Sequence, residues 1–308
     1  MSFEDIVIPV LNASDRALYV LLAVDIGVFL LSRRRTRHPE RRGYGLKDTA
    51  TNMTLNIANG FILRVTEVLG GAAMVILAAA VTPLHWQPGG WGWLLAILLA
   101  DLAYYWEHRT AHRVRLFWAT HSVHHSSEHF NLSTANRLGL IGAMDLLGQL
   151  WYVPMALLGV PVYSILIAKA ITLVYQIPLH TERVHRLWAP IEYLFNTPSH
   201  HRVHHGANNP YLDKNFGGVF MIWDRMFGTY APELERVEFG LTRQIGTHNP
   251  LKVYTHEIRS LISDVRSATN WRDRAGYLFG PPGWQPRPTP INLTEIARPT
   301  GDAEPRMT

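Results

Sequence analysis

Nine of the sixteen histidines fall in three short clusters, and long apolar segments separate parts of that set along the chain. The clusters read His108-Arg-Thr-Ala-His112, His121-Ser-Val-His124-His125 and His200-His201-Arg-Val-His204-His205, with His180 alone between the last two. Imidazole is the commonest side-chain metal ligand, and it suits iron, zinc, copper and nickel. Nine or ten rings exceed the three or four protein ligands of one zinc site, so two metal ions are the natural count. Any fold for this chain must therefore bring sequence-distant imidazoles to one place.

Spacing says how each cluster can present its rings. On a helix, ligands at i and i+4 project from one face, which suits His108 and His112. The His-x2-His-His form occurs as His121, His124, His125 and again as His201, His204, His205, and it spreads three rings around one turn. Two such turns facing the His108 helix can surround a pair of metals. His200 duplicates the first position of its box and is a further candidate ligand. Lone histidines are more often hydrogen-bonded core residues, the reading for His38, His85, His129, His185 and His248.

The charged fraction is 17%, below the roughly 25% of a typical soluble protein, and the apolar residues gather in long runs. Cysteine is absent, which excludes disulfides, thiolate metal sites and cysteine nucleophiles. Much of the net charge of +5 comes from Arg33-Arg34-Arg35-Thr-Arg37-His-Pro-Glu-Arg41-Arg42, directly after an apolar segment. That position favours a positive-inside flank over a nucleic-acid patch. Without a basic n-region or small-residue cleavage site, residues 17–32 read as a retained anchor.

Five segments are long and apolar enough to cross or enter a hydrocarbon layer of about 30 Å. They are residues 17–32, 61–84, 91–106, 138–159 and 161–179, and the last two meet at the tight break Gly159-Val160-Pro161. With the arginine run in the cytoplasm, counting crossings delivers every histidine box to the cytoplasmic face. The return of the last hairpin delivers His180 there too, which adds it to the candidate ligands.

Ionisable residues inside spans are costly. Asp101, Tyr105, His108 and His112 recur at offsets of 4, 3 and 4 and share one helical face. The Asp101 carboxylate is expected to hold the second ring nitrogen of a ligand histidine. For Asp145 and Lys169 two readings stand: a pair across the hairpin, or a snorkelling lysine with the aspartate facing a wet cavity.

The stretch Asp101-Leu-Ala-Tyr-Tyr-Trp-Glu-His-Arg-Thr-Ala-His112, followed by His121-Ser-Val-His-His125, resembles the fatty acid hydroxylase/sterol desaturase superfamily. Asn196-Thr-Pro-Ser-His-His-Arg-Val-His-His205, Asp213-Lys-Asn-Phe-Gly-Gly218 and Trp223-Asp-Arg-Met-Phe-Gly-Thr-Tyr230 extend the match. With Phe130-Asn-Leu-Ser-Thr-Ala135 and His180-Thr-Glu182, the pattern is most similar to alkylglycerol monooxygenase-like members. Ala135-Asn136-Arg137-Leu138 departs from that pattern, which has leucine before the arginine and glutamine after it.

The resemblance implies a membrane-bound, histidine-ligated non-haem diiron centre that uses O2, with zinc able to substitute in recombinant protein. It also implies outside electrons, supplied by a partner or by a small reductant such as tetrahydrobiopterin. Second carboxylates that orient the rings are expected among Asp101, Glu107 and Glu182, with Glu128, Asp213 and Asp224 as further candidates.

These readings converge on an all-α integral membrane bundle of about four to five membrane-embedded helices under a cytoplasmic histidine-rich cap. Residues 1–60 form the anchor and basic linker, 61–232 the catalytic domain, and 233–308 a polar tail with an unstructured end. The expected function is O2-dependent hydroxylation of a lipid C–H bond, in its most specific form the cleavage of alkyl ether lipids. A sterol or fatty-acid hydroxylase or desaturase is the sibling reading. A metal transporter, whose ligands belong near the bilayer midplane, and a zinc hydrolase are more distant ones. No nucleic-acid partner is expected.

Overall fold

The computed structural model describes residues 43–66, 73–86, 89–139 and 147–286, together with residues 20, 23, 24, 26 and 27. Most of the 17–32 anchor, the arginine run, Asp145 and the tail from residue 287 lie outside the described residues. Regular structure among them is helical. No strand occurs, only isolated antiparallel bridges of Phe195 with Phe220 and Gly206 with Phe239.

From residue 43 to the first histidine box the described residues form α1 (Leu46–Thr66) and α2 (Ala73–Val81) before the box helix. Helix α3 (Gly90–Arg113) carries the first box, and α4 (Arg115–His125) carries the second. The short α5 (Val153–Leu157) leads to α6 (Val162–Gln176), α7 (Ala189–Leu194) and α8 (Pro198–His204), the third box. After α9 (Ile222–Met226) the described chain closes with α10 (Pro250–Ser267) and α11 (Trp271–Phe279).

The third apolar segment does not stop at Trp106. It continues as α3 through both histidines of the first box, because Ala96, Ala100 and Ala103 let the helix lie close against α6. Buried Ser164, Ile165 and Ala168 are the facing surface on α6, and small residues on both sides allow the backbones to approach. Val114 then takes an extended conformation (φ −121°, ψ 116°), which ends α3 and folds α4 back against it.

The fourth apolar segment differs from the expected single span. Its described part is a 3-10 turn, Gly148–Tyr152, followed by the five-residue α5. Gly148 sits where a β-carbon would run into the Glu107 carboxylate, and Pro154 cannot donate a backbone hydrogen bond to a longer helix. Gly159 makes the break before α6 with a left-handed φ of +87°, and its carbonyl accepts from Trp86 N–H at 2.9 Å. Among the described residues one stretch, Val162–Leu179, is long and apolar enough to cross a bilayer.

Polar sequence does not leave the C-terminal part unpacked. Asn249 and Asn270 cap α10 and α11 by accepting from Lys252 and Asp273 N–H. Leu261, Ala268 and Tyr277 pack with Ala119 of α4, each large apolar side chain contributing roughly 1.5–3 kcal/mol on burial. Arg115 joins the same interface, paired with Glu257 at 2.8 Å and Asp264 at 2.7 Å. The effect is to brace α4, and with it the second box, from behind.

Candidate metal centre

Helices α3, α4 and α8 and the turn after α6 bring nine imidazoles into two adjoining groups. The donor atoms of His108, His112, His121, His125 and His204 lie within 4.8 Å of one another, as do those of His124, His180, His201 and His205. His124 and His125, neighbours on α4, divide between the groups, and so do His204 and His205. Rings one residue apart on a helix point about 100° apart, so each doublet can serve two metal positions.

The backbone decides the tautomers. Nδ1 of His108 donates to the Phe216 carbonyl at 3.0 Å, His204 to Lys214 at 3.1 Å and His124 to Arg137 at 3.2 Å. His180 Nδ1 meets the carbonyls of Gln176 and Ile177 at 3.0 and 3.3 Å. A carbonyl can only accept, so Nδ1 carries the proton and each of these neutral rings turns an Nε2 lone pair inward. His180 Nε2 and His124 Nε2 thereby approach to 3.3 Å with a lone pair on each. Such a contact is repulsive unless a cation lies between the rings.

Burial keeps the rings neutral. It lowers His108 and His180 to about 3 and His124 to about 4, reinforced by neighbouring imidazoles or the Arg137 guanidinium. His112, His121, His125, His201, His204 and His205 are held well below the ordinary value, by burial first and by one another second. Nε2 of His112, His204 and His205 is buried with no hydrogen-bond partner. Neutral rings, inward lone pairs and orphaned Nε2 atoms form a donor set that fits transition-metal cations.

The fatty acid hydroxylase family model matches residues 93–229, which contain all nine rings. Residues 93–229 are a fatty acid hydroxylase domain. The chain is 42% identical over 217 residues to the alkylglycerol monooxygenase of Homo sapiens, a match covering 70% of this chain and 48% of that protein. The alkylglycerol monooxygenase of Danio rerio is 41% identical over 226 residues, covering 72% of this chain and 49% of its own. That of Caenorhabditis elegans is 30% identical over 305 residues, covering 92% and 57%. The chain spans about half the length of the first two of these relatives. No solved structure matches it.

Within the hydroxylase domain the carboxylates act differently from expectation. Asp101 reaches no ring nitrogen; it accepts from Val219 N–H at 2.7 Å, Phe220 N–H at 3.0 Å and Trp223 Nε1–H at 3.0 Å. It thus ties α3 to the loop that supplies the Phe216 carbonyl. Glu107 accepts from the Tyr152 hydroxyl at 2.9 Å and from Lys169 at 3.2 Å. Lys169 therefore pairs with Glu107, while Asp145, its partner in one of the two readings, lies outside the described residues. Glu182 is half-buried two residues past His180.

His200 stands outside both groups. Its Nε2 lies 3.2 Å from Glu192 and its Nδ1 3.3 Å from the Thr197 hydroxyl. Burial alone would raise the Glu192 carboxyl, but bonds from Ser199, Leu187 N–H and Thr197 outweigh it, and His200 assists. Glu192 was absent from the sequence reading, and it lies eight residues before His200 without a motif to mark it.

Of the broader candidate set, Asp213 reaches a ring directly and Asp224 through one peptide group. Asp213 lies 3.5 Å from His112 Nδ1, with Arg113 at 3.3 Å on its other oxygen. Asp224 accepts from Phe216 N–H at 2.8 Å and Gly217 N–H at 2.7 Å. The Phe216–Gly217 peptide consequently links the Asp224 carboxylate, through its N–H, to His108, through its C=O. Asn215 holds the loop in a left-handed turn (φ 57°) by bonds to His200 and Ala231. Asparagine tolerates that conformation because its side chain bonds the local backbone.

Proposed function

We propose that this chain is an O2-dependent lipid monooxygenase with two iron ions. His108, His112, His121, His125 and His204 would hold one ion, and His124, His180, His201 and His205 the other. Iron bound there supplies reduction of O2 and attack on an unactivated C–H bond, with electrons from an outside donor. The observation that carries the reading is the facing lone pairs of His124 and His180, set by backbone carbonyls on both rings.

The chain's own groups perform the rest. Nδ1–H bonds to carbonyls keep His108, His124, His180 and His204 in one orientation before any ligand arrives, which lowers the reorganisation needed at the metal positions. Asp213 and the peptide-linked Asp224 put negative charge behind the first group and increase its basicity. Aromatic and apolar side chains, Trp118, Phe130 and Phe216, pack against the rings and limit water around the reacting carbon.

The proposed substrate is an alkyl ether lipid, as in the names of the relatives. Two electrons, two protons and one O2 would convert the carbon beside the ether oxygen to a hemiacetal and release one water. Collapse of the hemiacetal gives an aldehyde and an alcohol. The reductant would be a small molecule of the tetrahydrobiopterin kind or a partner protein.

Residues 61–232 are proposed as the catalytic domain of a multi-pass membrane protein, between an N-terminal anchor (1–60) and a polar C-terminal part (233–308). The metal groups would lie at the cytoplasmic face. Supporting this, the apolar stretch Val162–Leu179 runs directly into His180, and Leu94, Leu95, Ile171 and Leu173 are exposed on α3 and α6.

The test is anaerobic iron loading in lipid nanodiscs, followed by O2, a tetrahydropterin and a panel of alkyl-ether, acyl and sterol lipids. Aldehyde release from the ether lipid, lost in His108→Ala and His201→Ala, is the expected result. Absence of any O2-dependent lipid product with full iron loading defeats the proposal.

A further inference from the structure

We propose that Trp118 is a redox relay whose indole discharges the oxidising equivalents of the imidazole-held metals when no lipid is in place. The inference rests on the monooxygenase reading above and adds a route by which the ligand rings survive idle turnover.

Helical spacing sets the placement. Trp118, His121 and His125 follow one another on α4 at offsets of 3 and 4, so they share one face. That face is turned to the first box, where His121 and His125 meet His112 of α3. The indole thereby touches rings from both helices. Its centroid lies 5.2 Å from that of His112, 5.6 Å from His125 and 6.2 Å from His121. All three rings belong to the group of five. Trp118 itself is half-buried, so one side chain reaches from ligand rings towards the surface.

The other aromatic neighbours of the nine rings lack its chemistry. Phe130 lies against His180, His201 and His205, and Phe216 against His108, His112 and His204. A phenyl ring gives up an electron far less readily than an indole. Tyr104 lies 5.2 Å from His108, and its hydroxyl donates to the Gln176 side-chain oxygen at 2.9 Å. A phenol sheds its proton as it is oxidised, and an amide oxygen is too weak a base to take that proton. An indole can lose an electron first and release its Nε1 proton to water afterwards. Among the described aromatic contacts, Trp118 is thus the readily oxidised group against the ligand rings.

The same chemistry fixes the direction. An indole yields its electron only to a strong oxidant, so it acts after O2 has been activated and not while the metals are being reduced. Activation takes two electrons and two protons, releases one water and leaves two oxidising equivalents. With no C–H bond in reach, Trp118 supplies one electron and then its Nε1 proton, becoming a neutral indolyl radical. The outside reductant, of the tetrahydropterin or ascorbate class, returns one electron and one proton to it. Two such cycles carry the second oxygen atom to water. Without the relay, the nearest oxidisable groups are the imidazoles themselves, and an enzyme site must exclude such competing reactions.

The experiment uses the full chain in nanodiscs of diacyl phosphatidylcholine, which has no ether bond, loaded anaerobically with iron and reduced. One arm receives O2 and a second receives hydrogen peroxide; both are freeze-quenched for electron paramagnetic resonance. The parent should show an organic radical whose spectrum narrows when the protein is grown on ring-deuterated tryptophan, and Trp118→Phe should lack it. After repeated exposure, peptide mass spectrometry should find oxygen added to Trp118 in the parent. In Trp118→Phe, oxidation of His112, His121 and His125 should rise several-fold, with a matching loss of iron per protein. Trp118→Tyr should restore part of the protection. Trp284, half-buried against Tyr277, is the internal control for oxidation from bulk solvent. A parent with no deuteration-sensitive radical in either arm overturns the relay, and that comparison needs no variant. Equal imidazole oxidation in the parent and Trp118→Phe overturns it too. If the chain consumes no O2, the monooxygenase reading fails, and the peroxide arm alone decides the relay.

Discussion

Replacing Asp224 by asparagine should weaken the metal centre without touching a ligand. The carboxylate is fully buried and accepts three short bonds, from Phe216 N–H at 2.8 Å, Gly217 N–H at 2.7 Å and the Thr229 hydroxyl at 2.6 Å. Its two oxygens face one backbone N–H each. Whichever oxygen becomes an amide nitrogen, a donor then faces a donor. One charge-assisted bond disappears, and the remaining ones lose the full negative charge.

Hydrogen bonds to charged groups are worth roughly 1.5–3 kcal/mol, so a total loss of about 2–4 kcal/mol is expected. That is a large part of a typical net stability of about 5–15 kcal/mol. At roughly 2–4 °C per kcal/mol, the unfolding temperature should drop by about 5–15 °C. The same change loosens the Phe216–Gly217 peptide, whose carbonyl fixes His108. Metal affinity should fall by roughly 10–100-fold, as for other outer groups that orient ligand histidines.

Competition of cobalt(II) with a chromophoric chelator, read beside a melting curve, measures both quantities. Thr229→Val, which removes one hydroxyl and leaves the charge, is the control and should cost about 1 kcal/mol with little effect on affinity. If Asp224→Asn keeps the parental affinity and melting temperature, the carboxylate–peptide–imidazole link has no energetic content.

Three further outcomes follow from the same geometry. Arg137→Met leaves Asp48 buried without its 3.0 Å partner and should cost about 3–5 kcal/mol by melting, with Asp48→Asn recovering part of the loss. His200→Ala should retain both metal ions after anaerobic loading, whereas His201→Ala should lose one of them, read as metal per protein. For the metal-free protein, His108, His124 and His180 sit at about 3, 4 and 3 against an ordinary 6.5. A depressed base is neutral when folded, so its contribution is complete above the unfolded value and is lost as pH falls towards the folded one. Melting temperature should therefore be flat above about pH 6.5 and decline between there and pH 4; a flat profile through that window contradicts the assignment.

Much of the centre was legible in the order of residues. Ring spacing identified helical presentation, because i and i+4 share a face at 3.6 residues per turn, and the structure carries the first two boxes on α3 and α4. Hydropathy located the break at Gly159 and the apolar stretch before His180. These are local properties, and a chain of residues contains them in full.

Pairing across distance was not legible. Asp101 looked like a histidine partner by periodicity, yet the nearest donors are backbone N–H groups of a loop more than a hundred residues away. The same periodicity could not tell His200 from His201, since a two-turn helix can be rotated to point either ring inward. The buried Glu192 decides that rotation.

Composition and spacing alone thus determined that many imidazoles must share one helical site, because neutral nitrogen donors at helical intervals have few other uses in such number. Tertiary structure alone decided which nine converge and how they divide into five and four. Backbone carbonyls select the tautomers of His108, His124, His180 and His204, and a carbonyl carries no trace of its target in the one-letter code.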